Sequence, residues 1–350
     1  MVDFEVNYHA GQRLQLAETL YRASDGHYQF KYLPAAAFLY LPLAMLPLET
    51  AKAVWFLLIL CGMGLLGWLS FRLLPKDIDY RRAALWLPPL ILLRFFLREL
   101  DLGQINALVT LVLIVMSWTL VRRPRSEVQA GLLWGLAMIL KPYALIFLPY
   151  YLVKRKWKAL CSGLGALLLA LTAPAFYYGW KGNLIVIEEW LSTFSRSTPT
   201  LLTTWDNVSL TAFFTKWIPH ESTALVLAGA AVILLGILIF LMLLKGRARP
   251  EASVLEVAML LTAIPLVSPL GWDYTFLMSL PALQLIVGFF RRYPRPWRVI
   301  LAVDFGIIAL SLYDFLGREL YGAFMSRSVL TLNFLLLVGA LAALRFRDIA

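Results

Sequence analysis

The chain has 350 residues, a formal net charge of +11, 61% hydrophobic residues, only 15% charged residues and a mean hydropathy of +0.74. That balance excludes an ordinary soluble domain, and runs of about 20 apolar residues recurring from end to end point to a polytopic membrane protein. The basic residues sit in short clusters between apolar runs, the pattern of cytoplasmic loops and not of a nucleic-acid-binding surface. Only helices or closed barrels satisfy the backbone in lipid, and the runs lack strand alternation, so the expected fold is an all-α transmembrane bundle.

In chain order, the opening MVDFEVNYHAGQ is polar and carries no secretory leader pattern. Residues 10–22 place Leu14, Ala17, Leu20 and Tyr21 on one helical face, as a helix lying in the membrane surface would. The expected organisation is one integral membrane domain over 1–350, beginning with an outer interfacial segment at 1–33. Residues 34–48 are apolar but short and carry three prolines, which reads as a partial span. Residues 51–74 span readily.

Six basic clusters then divide the chain: Lys76, Arg81 and Arg82; Arg122, Arg123 and Arg125; Lys154, Arg155, Lys156 and Lys158; Lys245, Arg247 and Arg249; Arg291, Arg292, Arg295 and Arg298; Arg345 and Arg347. Read as cytoplasmic, they require each intervening stretch to leave and return to the same side. Residues 83–121 hold two spans turning near 98–104, and 159–244 hold two spans around an outer loop at 178–222. The remaining spans, over 223–350, turn at 268–273 and near 316–328. About 9–11 membrane helices result, partial spans included.

The exception is 126–153, within the N-terminal spans of 34–177. It must also return, yet is too short for two passes of about 20 residues. From Ala130 to Val153 the only charge is Lys141, followed by Pro142. A lysine at mid-span costs roughly 2.5–3.5 kcal/mol, and proline interrupts the hydrogen-bond ladder. The expected solution is a broken hairpin of two partial helices meeting at 141–142, with Lys141 in a polar cavity open to the outer side. The rival is one long tilted helix from which the lysine snorkels.

With this topology, polar residues converge on the outer face: Asp3, Glu5, Arg98, Glu99, Asp101, Gln104, Asn106, Lys141, Trp205, Asp206, Asn207, Ser209, Ser268 and Asp273. Gln104 and Asn106 could equally join helices by hydrogen bonds. Cys61 and Cys161 lie in apolar runs and the three histidines are scattered, so no disulfide framework or metal cluster is expected.

The order GQIN (103–106), a basic loop, GLLWGLAMILKP (131–142) and LPYYLVKRKWKA (148–159) resembles glycosyltransferase family 87, of the membrane-embedded C superfamily (GT-C). DFEVNYHAGQ (3–12), FKYLPAAAFLYLPLAMLP (30–47), WDNVSL (205–210) and LVSPLGWDY (266–274) follow the family's remaining motifs in order. The family carries a membrane helix ahead of its first aspartate, whereas here Asp3 is the third residue. Either the true start lies further upstream, in which case an in-frame hydrophobic segment before Met1 is expected, or this copy lacks the family's first helix. The family also carries a histidine after the Ser-Pro … Trp-Asp segment, where this chain has Tyr274 and Thr275.

The resemblance implies transfer of a sugar, mannose or a pentose, from a polyprenyl-phosphate donor to a lipid or glycan acceptor, with inversion and without a cofactor or metal. It implies Asp3 as the catalytic base, with Glu99 and Asp101 as rivals. The leaving phosphate needs positive charge more than a general acid, which points to Lys141 with Arg98. Gln104, Asn106, Asn207, Ser209 and Asp273 would hydrogen-bond the substrate, and Trp205 or Trp272 would stack on a sugar. The competing function is a transporter or lipid flippase for an anionic substrate, for which a mid-membrane break is also suited. Such proteins pair their breaks across internal repeats, and this chain shows no second break to match 141–142.

Overall fold

The computed structural model describes residues 1–122, 126–245 and 250–347. Arg123, Arg125, Arg247 and Arg249 of the basic clusters lie outside the described residues. The chain is all-α and multi-span. In order come α1 (Val2–Gln15), α2 (Ala37–Ala44), α3 (Leu48–Leu73), α4 (Arg81–Ile91), α5 (Leu93–Leu102), α6 (Asn106–Arg122), α7 (Glu127–Leu140), α8 (Leu148–Val153) and α9 (Trp157–Thr172). Then follow α10 (Ala175–Leu201), α11 (Leu210–Trp217), α12 (Glu221–Leu244), α13 (Pro250–Val267), α14 (Leu280–Gly288), α15 (Arg295–Leu310), α16 (Tyr313–Ser326) and α17 (Val329–Phe346). Among the described residues no sheet forms; a lone antiparallel bridge joins Asn207 to Trp272.

Helices α3, α12 and α17 are long and apolar enough to cross a membrane. Among the described residues, three bent pairs raise the candidate spans to as many as six if each pair is one span: α5 with α6 (117°), α9 with residues 175–193 of α10 (90°) and α15 with α16 (100°). Four shorter apolar helices lie at Pro34–Ala44, Glu127–Leu140, Pro142–Val153 and Ser253–Val267.

The chain divides into two compact units, Met1–Leu66 with Arg98–Pro199, and Gly67–Leu97 with Thr200–Ala350. In the first unit, α1 packs against α2. Its Phe4, Tyr8, Ala10 and Leu14 are buried, and Leu14 joins Leu20, Tyr21, Phe30 and Val186 in one apolar cluster. The helix therefore ends at Gln15, within the 10–22 stretch that periodicity suggested. Ala17, at φ 52, turns the chain and is exposed, while Leu20 and Tyr21 reach the core from a turn. Residues 34–44 form a 3-10 turn running into α2, about 16 Å of rise against the roughly 30 Å of a bilayer core.

Helix α7 stops at Leu140 because Pro142 lacks an N–H and disfavours helix in the residue before it. Lys141 is extended (φ −147, ψ 106), and a 3-10 turn over Pro142–Phe147 leads into α8. Helix α7 is held tightly against α9. A side chain on Gly163 would meet the Gly131 carbonyl at 2.8 Å, the small-residue contact that lets membrane helices approach closely. The segment expected as an outer loop over 178–222 is mostly helical, in α10, kinked at Gly179, and in α11.

In the second unit, α13, α14 and α17 form the buried centre, with Phe276 and Phe334 stacked at 3.5 Å. A buried pair, Arg345 with Glu256 at 3.0 Å, ties α17 to α13.

Candidate active site

In the first unit, the turn after α5 depends on Gly103. Its φ of +72 suits glycine, and a Cβ there would lie 2.8 Å from that of Phe4. Trp55 donates its indole N–H to the Gly103 carbonyl at 2.8 Å and stacks on Phe4 at 5.5 Å. This locks the start of α1 against the turn and brings together residues a hundred positions apart. Gln104 Nε2 donates to Asp3 Oδ2 at 2.6 Å. Gln104 Oε1 accepts from Lys141 Nζ and from the Tyr32 hydroxyl, each at 3.3 Å. The Lys141 ammonium also lies 4.4 Å from the Tyr32 ring centroid, a cation–π contact. Asp3, Gln104, Asn106 and Lys141 thus share one polar cluster.

Glu99, fully buried, is engaged by both oxygens: Oε1 accepts from the Ala107 N–H and Oε2 from Asn106 Nδ2, both at 2.8 Å. It caps the N-terminus of α6, where backbone donors are otherwise unpaired. Asn106 Oδ1 accepts from the Tyr143 hydroxyl at 2.9 Å. Asp3 differs from Glu99 in that its Oδ1 has no hydrogen-bond partner among the described residues.

Lys31, within the 30–47 segment but not singled out from the sequence, lies near the cluster. Its carbonyl is held by Trp190 Nε1 (3.2 Å) and the next carbonyl, of Tyr32, by the Tyr21 hydroxyl (2.6 Å). Burial lowers the pKa of its ammonium, which feels Asp3 as a favourable and Lys141 as an unfavourable neighbour. Neither Lys31 nor Lys141 has a carboxylate within ion-pair distance among the described residues. Arg98, in contrast, is exposed and pairs with Asp101 at 3.1 Å on its own helix, in neither cluster.

The second unit gathers Trp205, Asn207, Ser209, Trp272 and Asp273. Asn207 is fully buried and staples two segments. Its Nδ2 donates to the carbonyls of Pro269 (3.0 Å), Leu202 (3.2 Å) and Leu201 (3.3 Å), and its Oδ1 accepts from the N–H groups of Ser209 (3.1 Å) and Gly271 (3.2 Å). Ser209 caps α11 through Ala212 N–H and also donates to the Pro269 carbonyl. Asp273 pairs with Arg94 at 2.8 Å, both buried. Arg94 further binds the Ser311 carbonyl and hydroxyl and the Tyr321 hydroxyl. Lys216 of α11 donates to the carbonyl of Asn207 (2.7 Å) and to the Ser328 hydroxyl (2.9 Å). Burial lowers its pKa to about 8, against the pull of Asp206 and Asp273. Trp205 is 47% exposed, with its ring edge-on to Tyr321, and Trp272 is half-buried.

Sequence reasoning missed Lys31, Tyr32 and Tyr143 in the first unit, and Arg94 and Lys216 in the second. Tyr32 stood within a quoted motif and Arg94 lies one turn before Arg98. Lys31 lies beside Tyr32 in that same segment, and Lys216 had no sequence signal.

The model of glycosyltransferase family 87 matches residues 30–269. The chain is also similar to the polyprenol-phosphate-mannose-dependent alpha-(1-2)-phosphatidylinositol mannoside mannosyltransferase of Mycobacterium tuberculosis, at 28% identity over 281 residues. That alignment takes in 74% of this chain and 62% of the relative, so the chain spans less than two thirds of the relative's length. No solved structure matches it. With the family model extending over more than half of its length, the chain belongs to glycosyltransferase family 87.

Proposed function

We propose that the protein is a membrane glycosyltransferase that moves mannose from a polyprenyl-phosphate donor to a lipid or glycan acceptor on the non-cytoplasmic side, with inversion. The observation that carries this reading is the pairing pattern of the first cluster. Lys141, joined to Asp3 through Gln104, and Lys31, which feels both electrostatically, lack carboxylate partners among the described residues, and one oxygen of Asp3 is uncommitted. The relative's dependence on polyprenol-phosphate-mannose supports the donor, and the family supports the reaction class.

The acceptor hydroxyl attacks the anomeric carbon and gives its proton to Asp3 Oδ1, while the bond from that carbon to the phosphate oxygen breaks. A diester phosphate with one negative charge leaves as a monoester with two. The added charge develops in the transition state, so the two ammonium groups stabilise it more than the bound donor, and the barrier falls. Gln104 orients Asp3 through its N–H and Lys141 through its carbonyl, setting base and phosphate site in one frame. Glu99 is committed to capping α6 and so does not serve as the base. In the second unit, Asn207, Ser209 and Asp273 hold the scaffold that carries Trp205 and Trp272.

The test is transfer of labelled mannose from synthetic polyprenyl-phosphate-mannose by the purified protein, with the product's anomeric configuration read by NMR. Inverted product is expected. Absence of transfer from any polyprenyl-phosphate sugar, with flux of an anionic lipid across vesicles containing the protein, would favour the transporter reading instead.

A further inference from the structure

On the second unit, α4, α14 and α15 enclose an apolar groove of about 410 Å3. Leu87 and Ile91 of α4 form one wall, and Phe305, Gly306 and Ala309 of α15 the other. A second concavity of about 300 Å3 is lined by Arg295 and Arg298. Phe290 and Ala302 line both, so the apolar groove runs into the basic one. The continuity is built into α15. Arg295, Arg298, Ala302, Phe305 and Ala309 recur at alternating spacings of three and four, which places them on one helical face. From Ala302 to Ala309 that face extends about 10 Å.

The charge at the end of the groove is unspent. Neither Arg295 nor Arg298 makes a side-chain hydrogen bond or ion pair among the described residues, and Arg298 Nε is buried without a partner. The nearby acids are committed elsewhere: Asp77 and Asp79 both pair with Arg292, at 3.1 and 3.4 Å. A buried guanidinium N–H without an acceptor is costly. A phosphate offers two oxygens in the geometry that an arginine fork matches, and basic pockets between membrane helices take anionic head groups.

We propose that this groove binds an anionic phospholipid, its phosphate on Arg295 and Arg298 and one acyl chain along the α15 face. A zwitterionic lipid would bring its own cation toward two arginines and bind less well. The groove shares no residue with the Asp3–Lys141 cluster, and the proposal does not depend on the catalytic reading.

The purified protein would be equilibrated with mixed micelles holding phosphatidylglycerol and phosphatidylcholine of identical chains, and retained lipids counted by native mass spectrometry. Wild type is expected to retain phosphatidylglycerol on the order of tenfold more than phosphatidylcholine. The double variant Arg295→Gln, Arg298→Gln should lose that preference while its phosphatidylcholine retention and thermal melting stay the same. Ala302→Trp, which keeps both arginines but fills the groove, should lower retention of both lipids. Excess glycerol phosphate should not displace the bound lipid. Equal retention of the two lipids by wild type, an undiminished preference in the double variant, or displacement by glycerol phosphate would each overturn the proposal.

Discussion

The polar clusters of the two units are built from similar residues to opposite ends. In the second unit, the Arg94 guanidinium bonds Asp273, Ser311 and Tyr321, and Asn207 uses both ends of its amide on five backbone groups. In the first unit, Lys141 has one long hydrogen bond and an aromatic face, Lys31 has neither, and Asp3 keeps an oxygen unused. A buried charge that is fully paired rigidifies a scaffold. One left partly paired is tolerated where a ligand completes it. On the proposed reading the first cluster carries the chemistry and the second positions, although both carry family motifs.

The largest effect that could break this contrast is expected at Asp3. Asp3→Asn keeps an acceptor for Gln104 but cannot take a proton, and should lower the turnover rate by about 10²–10⁴-fold with donor binding intact. Lys141→Gln should cost about 10²–10³-fold, the scale of losing one preorganised charge stabiliser. Asn207→Ala should act differently. It removes hydrogen bonds from five backbone groups, of which the Pro269 and Leu201 carbonyls keep Ser209 and Thr204 as donors, so thermal stability in detergent should fall, with turnover per folded molecule close to wild type. A variant that melts normally but does not turn over would move Asn207 into the reacting site.

Lys31 gives a pH test. Its ammonium carries charge below its pKa, and burial sets that pKa below the usual lysine range. Donor affinity should therefore fall, as pH rises, earlier than an ordinary lysine would dictate. Lys31→Arg, which stays protonated, should move that alkaline loss upward. The smallest effect is expected at Arg98. Its exposed pair with Asp101 is of a kind worth under about 1 kcal/mol, so Arg98→Ala should leave both transfer and stability nearly unchanged.

Much of this architecture can be read in the sequence because membrane helices report themselves by length, apolarity and proline. Lys141-Pro142 could be seen as a break because both residues are costly within a continuous helix. The end of α1 could not. The alternation that made 10–22 look helical reflects Leu20 and Tyr21 reaching the core from a turn, and periodicity does not distinguish the two. The long segment after 177 read as a loop because its polar residues mask a helical backbone. Within the clusters, the pairing of Asp3 with Gln104 spans 101 positions; the basic-cluster topology put both residues on one face, and no local pattern joins them. Arg94 and Arg98 differ by one turn of α5. Which of them is buried depends on neighbours from distant parts of the chain, and no local pattern records that.

The central claim is that Lys141 and Lys31 together hold the donor's phosphate, and it is tested most directly without sugar or turnover. Binding of polyprenyl phosphate to the purified protein should weaken by about tenfold or more in Lys141→Gln and again in Lys31→Gln, the loss of a charge-assisted contact in each case. Arg98→Gln should bind as wild type does. Undiminished binding in Lys141→Gln, or a loss confined to Arg98→Gln, would contradict the account.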